Sequence, residues 1–133
     1  YSTQQAREAL PTNVPLQHAV YNIGRAALVV DALRSGDLTL LGRVMADRLH
    51  QPYRLGLIPG AQAALEAARQ AGAAAALSGA GPSVVAFAHN NAEAVAEKMS
   101  AAFNLQGINT RRMILSVTHL GAQTFPEQGE FSL

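Results

Sequence analysis

The phrase Ser78-Gly79-Ala80-Gly81-Pro82-Ser83 is the most unusual local feature of the chain. Glycines at 79 and 81 free the backbone to take positive φ and to gather its N–H groups, and a concave run of such donors holds anions. A tight turn between two strands needs glycine for its own sake, so spacing alone leaves both readings open. The phrase is not a Walker loop, because no G-x-x-x-x-G-K-[ST] occurs in the chain, and it is not G-x-G-x-x-G. Ser78 and Ser83 lack the strand-turn-helix setting of a G-x-S-x-G nucleophile, so a hydrolase is unsupported. Arg7 and Arg54 stand apart from the other seven arginines because each lies near prolines and off any clear helix stripe. A guanidinium offers a planar fork of donors that matches a carboxylate or phosphate. A solvated surface arginine is the alternative for each. His18, His50, His89 and His119 show no helical metal-ligand spacing and no accompanying carboxylate cluster, so no metal site is expected.

The elements that must position these residues follow from period and punctuation. Leu16, Ala19, Val20, Ile23, Ala27 and Val30 recur at three- and four-residue steps between Pro15 and Gly36, which predicts a helix. Ala26, Leu28, Val29 and Leu33 lie off that stripe, so burial on more than one side is expected. Asp37 caps a second predicted helix with Leu38, Leu41 and Met45 inward, ending near Leu49, with Arg43 and Asp47 toward water. His50 to Pro59 fits no period and reads as a loop, where binding residues are often placed. A third helix runs from Gly60 to Gln70 and stops at Gly72. Ala73 to Leu77 and Val84 to Ala88 read as strands joined by the glycine-rich phrase. Asn90 or Asn91 caps a helix with Ala92, Val95, Ala96, Met99 and Phe103 inward. Arg111 to Thr118 alternates as a half-buried strand does, and only a scrap of strand is expected before Arg7. With one strand upstream of residue 1, this order is β-α-β-β-α-β, an α+β fold of the ferredoxin-like sandwich type.

Composition sets the outer bounds. The 133 residues suit one domain, and 49% hydrophobic with 14% charged residues supports a packed core. Twenty-six residues are alanine, so that core is built from small side chains suited to close packing of helices on a sheet. A formal charge of +1 and 5% aromatic residues without tryptophan argue against a nucleic-acid partner. No cysteine is present, which excludes disulfides, thiolate metal sites and cysteine nucleophiles. Short apolar runs and the polar start predict neither a membrane span nor a signal peptide, and a cytoplasmic location is expected. The first residue is not methionine, as in a fragment or a processed product.

Leu77-Ser78-Gly79-Ala80-Gly81-Pro82-Ser83 closely resembles the third motif of the GHMP kinases, the family of galactokinase, homoserine kinase, mevalonate kinase and phosphomevalonate kinase. Ser2-Thr3-Gln4-Gln5-Ala6-Arg7-Glu8-Ala9-Leu10-Pro11 resembles the S-T-x-x-A-R-x-x-L-P stretch of the homoserine kinases within it. His50-Gln51-Pro52-Tyr53-Arg54 with Ile58-Pro59-Gly60 resembles their H-x-P-Y-R…P-G segment, and Gly121-Ala122 their ending. The resemblance implies transfer of the γ-phosphoryl group of ATP, with Mg2+, to the hydroxyl of L-homoserine in threonine biosynthesis. It places Arg7 and Arg54 on the substrate carboxylate and Thr3 in the same pocket. The loop formed by Ser78, Gly79, Ala80, Gly81, Pro82 and Ser83 is then expected to pack beside the phosphates.

The family's phosphate loop P-x-x-x-G-L-G-S-S-A is not in this sequence. The resemblance therefore implies that residues 1–133 are a single C-terminal domain. ATP, Mg2+ and the catalytic residues would belong mainly to an N-terminal domain that is absent here, and a homodimer is a further expected partner. A free-standing ferredoxin-like domain that binds an amino acid, or that dimerises without chemistry, is the competing reading.

Overall fold

The computed structural model describes residues 2–118, 120 and 121. His119, Ala122 and the tail after Gly121 lie outside the described residues, and with them the expected closing motif. The described order is α1 (Thr3–Glu8), α2 (Leu16–Ser35), α3 (Leu38–Val44), α4 (Gln51–Arg54), a 3-10 turn (Leu55–Leu57), α5 (Ala61–Gln70), β1 (Ala74–Leu77), β2 (Val84–Phe87) and α6 (Ala92–Asn104).

β1 and β2 form an antiparallel hairpin in the register Ala74↔Phe87 to Leu77↔Val84, and the glycine-rich phrase is its connection. Both faces of β1 are covered, which is why Ala-Ala-Ala-Leu shows no alternation. Ala73 and Ala75 pack with Leu65, Ala68 and Val95 of α5 and α6, whereas Ala74 packs with Ala32 and Leu41 from α2 and α3. Leu77 belongs with Ile58, Ala61, Ala64 and Phe103 in the remaining cluster. Alanines on α5 let it approach α6 closely. Gly60, with φ +82°, opens α5 so near α6 that a Cβ there would lie 2.9 Å from Phe103 Cδ1. The fold is α+β, as expected, with the hairpin, α5 and α6 as the visible part of the ferredoxin-like order.

Four local expectations are corrected. The chain before Arg7 is not a scrap of strand but helix α1, because Ser2 and Gln5 close a capping box: Ser2 Oγ accepts from Gln5 N at 3.2 Å and Gln5 Oε1 accepts from Ser2 N at 2.7 Å. α2 is helical as predicted but is not buried on several sides. Ala32 is its buried residue, while Leu16, Val20, Ile23 and Val30 are 60–79% exposed. The large stripe residues therefore point away from the domain, and Ala32 with Val29 makes the inward contact. α3 is capped by Asp37, whose carboxylate accepts from Leu40 N at 2.8 Å, but it ends at Val44 rather than near Leu49, and Asp47 turns inward. Finally, Arg111 to Thr118 forms no strand. A strand is a pairing of two segments, and among the described residues no strand is hydrogen-bonded to this one. In the split β-α-β arrangement its partner is the first strand, which was expected upstream of residue 1.

No helix among the described residues is long and apolar enough to cross a membrane.

Candidate functional site

The segment read as a loop from His50 contains a turn of helix and a 3-10 turn, and Asp47 braces the start of the helical turn. Its carboxylate accepts from the backbone N–H groups of Leu49 (3.1 Å), His50 (2.7 Å) and Gln51 (2.6 Å), and from Asn22 Nδ2 of α2 (2.6 Å). Burial alone would push this carboxyl upward, but the four donors together hold it below the usual aspartate value. Asn22 completes the brace, since its Oδ1 accepts from Arg48 N at 3.0 Å. The donors Asp47 satisfies are those that a short helix leaves unpaired at its start, and Pro52 in the first turn has no N–H to leave unpaired. His50 adds no side-chain cap, with its Nε2 3.9 Å from Asp47 Oδ2.

This turn ends at Arg54, which is half-buried. Arg54 Nε donates to the carbonyl of Ala6 at 3.0 Å, across 48 residues of sequence. Ala6 is fully buried in α1 and its carbonyl belongs to the peptide that leads into Arg7. The arginines singled out in the sequence thus come from neighbouring pieces of backbone. Thr3 and Arg7 lie one helical turn apart on α1 and are exposed, and the Arg7 guanidinium has no hydrogen-bond or ion-pair partner among the described residues. The Arg54 bond to the Ala6 carbonyl brings α4 against α1, the helix that carries both Thr3 and Arg7. That combination is suited to a carboxylate.

The glycine-rich turn is fixed by Ser78 N donating to Ser83 O at 2.9 Å and Gly81 N donating to Ser78 O at 3.0 Å. Gly79 and Gly81 hold φ of +58° and +84°, values that L side chains rarely adopt, so the backbone does require glycine there. Ser78, Gly79, Pro82 and Ser83 are exposed, and Ala80 and Gly81 are half-buried. Pro82 and Ser83 also line an apolar depression of 530 Å³ with Ile58, Phe103 and Arg111, a depression to which Arg7 and Arg54 do not contribute. Instead, α4 reaches the turn through Gln51, whose Oε1 accepts from Leu77 N at 3.0 Å, immediately before Ser78. Among the described residues no group of three or more His, Asp or Glu side chains could hold a metal ion.

Sequence reasoning missed Asp47 and Gln51. The signal for Asp47 is an aspartate a few residues ahead of a proline in a helical first turn, the pattern of a side chain that organises a turn. Tyr21 was also missed: the guanidinium carbons of Arg25 and Arg48 lie 3.3 and 3.8 Å from its ring centre, and so α2 is joined to the segment that carries Asp47.

Comparison with known proteins bears on this arrangement. The family model for the GHMP kinases C terminal matches residues 29–105. This chain belongs to the GHMP kinase C-terminal family. The matched range takes in the glycine-rich turn, α5 and the whole of α6. The chain is 47% identical over 122 residues to the homoserine kinase of Moorella thermoacetica, covering 91% of this chain and 41% of that protein. It is 51% identical over 102 residues to the homoserine kinase of Gloeobacter violaceus, covering 75% and 34%. The structure resembles the crystal structure of homoserine kinase from Cytophaga hutchinsonii with a TM-score of 0.73 and 34% identity, over 79% of this chain and 34% of that one. The GHMP kinase domain described here therefore spans well under half the length of the curated relatives it matches.

Proposed function

We propose that this chain is the C-terminal, substrate-side domain of a homoserine kinase. The parent protein would transfer the γ-phosphoryl group of ATP to the side-chain hydroxyl of L-homoserine, giving O-phospho-L-homoserine in threonine biosynthesis. The observation that supports this reading is the bond from Arg54 Nε to the Ala6 carbonyl, which ties the segment ending in Arg54 to the peptide that leads into Arg7. In this reading Arg7 and Arg54 hold the substrate carboxylate as paired donors, and Thr3 lines the same pocket. Ser78 to Ser83 then shape the side of the site where phosphate is transferred. Phosphoryl transfer depends mainly on positioning and charge stabilisation, and fixing the substrate at its carboxylate end leaves the hydroxyl oriented.

The residues present do not fit ATP or Mg2+. The sequence has no phosphate loop, and no carboxylate cluster stands among the described residues. In this reading those groups are held mainly by the N-terminal domain. The partners are L-homoserine, the N-terminal domain of the same protein and a second copy in a homodimer, in the cytoplasm.

A coupled kinase assay tests the proposal. The full-length parent should phosphorylate L-homoserine with kcat/KM at least about a hundredfold above that for 3-aminopropan-1-ol, which keeps the amine and hydroxyl but lacks the carboxylate. The 133-residue chain alone should show no turnover. Equal use of both alcohols, or turnover by the chain alone that survives repurification, would overturn the proposal.

A further inference from the structure

Among the described residues, Gln51 is the one buried residue that is polar or charged, with 6% of its surface exposed. A buried amide is costly unless its donor and its acceptor are both engaged. Both are engaged here: Nε2 donates to Met45 O at 3.1 Å and Oε1 accepts from Leu77 N at 3.0 Å, while the Gln51 backbone N–H donates to Asp47 at 2.6 Å. One side chain thus joins the C-cap of α3, the first residue of α4 and the last residue of β1. A methionine or leucine would fill the same space. Only a group with an acceptor at this position can hold the Leu77 N–H, the donor that immediately precedes Ser78. Three residues beyond Gln51, in the same turn of helix, stands Arg54.

We infer that Gln51 is a positioning residue that sets the spacing between Arg54 and the glycine-rich turn. It touches neither substrate nor nucleotide and acts through two pieces of backbone. Its catalytic consequence rests on the homoserine kinase reading, whereas its structural consequence does not, so the test has two arms.

The first arm is amide hydrogen exchange on the 133-residue chain for wild type, Gln51→Met, Gln51→Leu and Gln51→Glu. In the two apolar variants Leu77 N–H should exchange at least about tenfold faster and the Gly79 and Gly81 amide resonances should move, while Leu65 and Ala68 in α5 stay protected, as expected of a local opening. Gln51→Glu retains an acceptor for Leu77 and should restore its protection. Unchanged Leu77 exchange, a uniform loss of protection through α5, or unfolding of both apolar variants would overturn the inference. The second arm is steady-state kinetics of the full-length parent. Gln51→Met should lower kcat about tenfold with KM for homoserine within about twofold, the pattern of lost positioning rather than lost binding. A rise in KM with kcat unchanged would overturn the inference. A wild-type parent that fails to phosphorylate homoserine would remove the functional reading alone and leave the exchange result standing.

Discussion

At the scale of single residues, the arginines divide by what their surroundings ask of them. Arg54 is half-buried against α1, whereas Arg43 stands exposed on α3. In the full-length parent, Arg54→Ala should therefore weaken kcat/KM for homoserine by about 2–5 kcal/mol, the loss expected when one partner of a buried charge pair is removed. Arg54→Lys should recover part of this, since a point charge does not reproduce the fork. Arg7→Ala should behave alike, Arg43→Ala should be silent, and Kd for ATP should hold across the series. Equally mild Arg54→Ala and Arg43→Ala variants would rule out the carboxylate assignment. Asp47 carries a different prediction. Its folded carboxyl titrates below the unfolded value, so its contribution to stability is complete above about pH 4 and is lost as pH falls through the folded value. Asp47→Asn should cost about 1–3 kcal/mol at pH 7, because the bonds to a charged acceptor are weakened. The gap between the two proteins should narrow below about pH 4. Urea titrations at pH 7 and pH 3 measure both, and a gap that stays constant would show that the charge is immaterial. The glycine phrase was legible as a turn between strands because its residue types demand one, and Arg7 and Arg54 drew notice because they stand in recognisable phrases. Asp47 was not, because a helical period carried on past Val44 turns it outward on paper, whereas Val44 ends the helix and the carboxylate swings in to meet three backbone donors.

At the scale of elements, glycine punctuation was read well and side was not. α2, α5, α6 and the hairpin lie close to where period and turn residues placed them. Periodicity reports which side chains share a face, and it is silent on whether that face meets the chain's own core. In α2 the large residues Leu16, Val20, Ile23 and Val30 share the outer face, and the inward contact is Ala32 on Leu41 and Ala74. The α5–α6 contact shows how much a single missing side chain permits. Gly60 and Gly36 share positive φ, at 82° and 72°, but a Cβ at Gly36 would meet nothing within 4 Å while one at Gly60 would strike Phe103 at 2.9 and 3.1 Å. Gly36→Ala should cost about 1–2 kcal/mol from the backbone alone. Gly60→Ala should cost a further 1–3 kcal/mol or so for the collision. Thermal or urea unfolding of the two variants tests this, and equal losses would mean that α6 yields freely to its neighbour.

At the scale of the whole molecule, stability is concentrated around the hairpin and little of it comes from the outer face of α2. Leu65 is fully buried between α5, β1 and α6, so Leu65→Ala should cost about 2–5 kcal/mol. Ile23 is 71% exposed, so Ile23→Lys should change unfolding free energy by less than about 0.5 kcal/mol. A large loss from Ile23→Lys would show that α2 is held by its stripe after all. The segment from Arg111 to Thr118 belongs to this scale as well, since its alternation was plain in the sequence but pairing takes a second strand. The hairpin states where such a strand would have to go. Ala75 and Leu77 stand two apart, their main-chain groups face away from β2, and side chains engage one group of each: Arg69 Nη2 donates to Ala75 O at 3.1 Å and Gln51 Oε1 accepts from Leu77 N at 3.0 Å. Val84 and Ala86, opposite them, turn their N–H and C=O groups outward on the far border with no partner among the described residues. The hairpin is thus an uneven template, partly covered along β1 by two side chains and open along β2, the border where a further strand of the same protein, or a misdirected strand of another copy, would add.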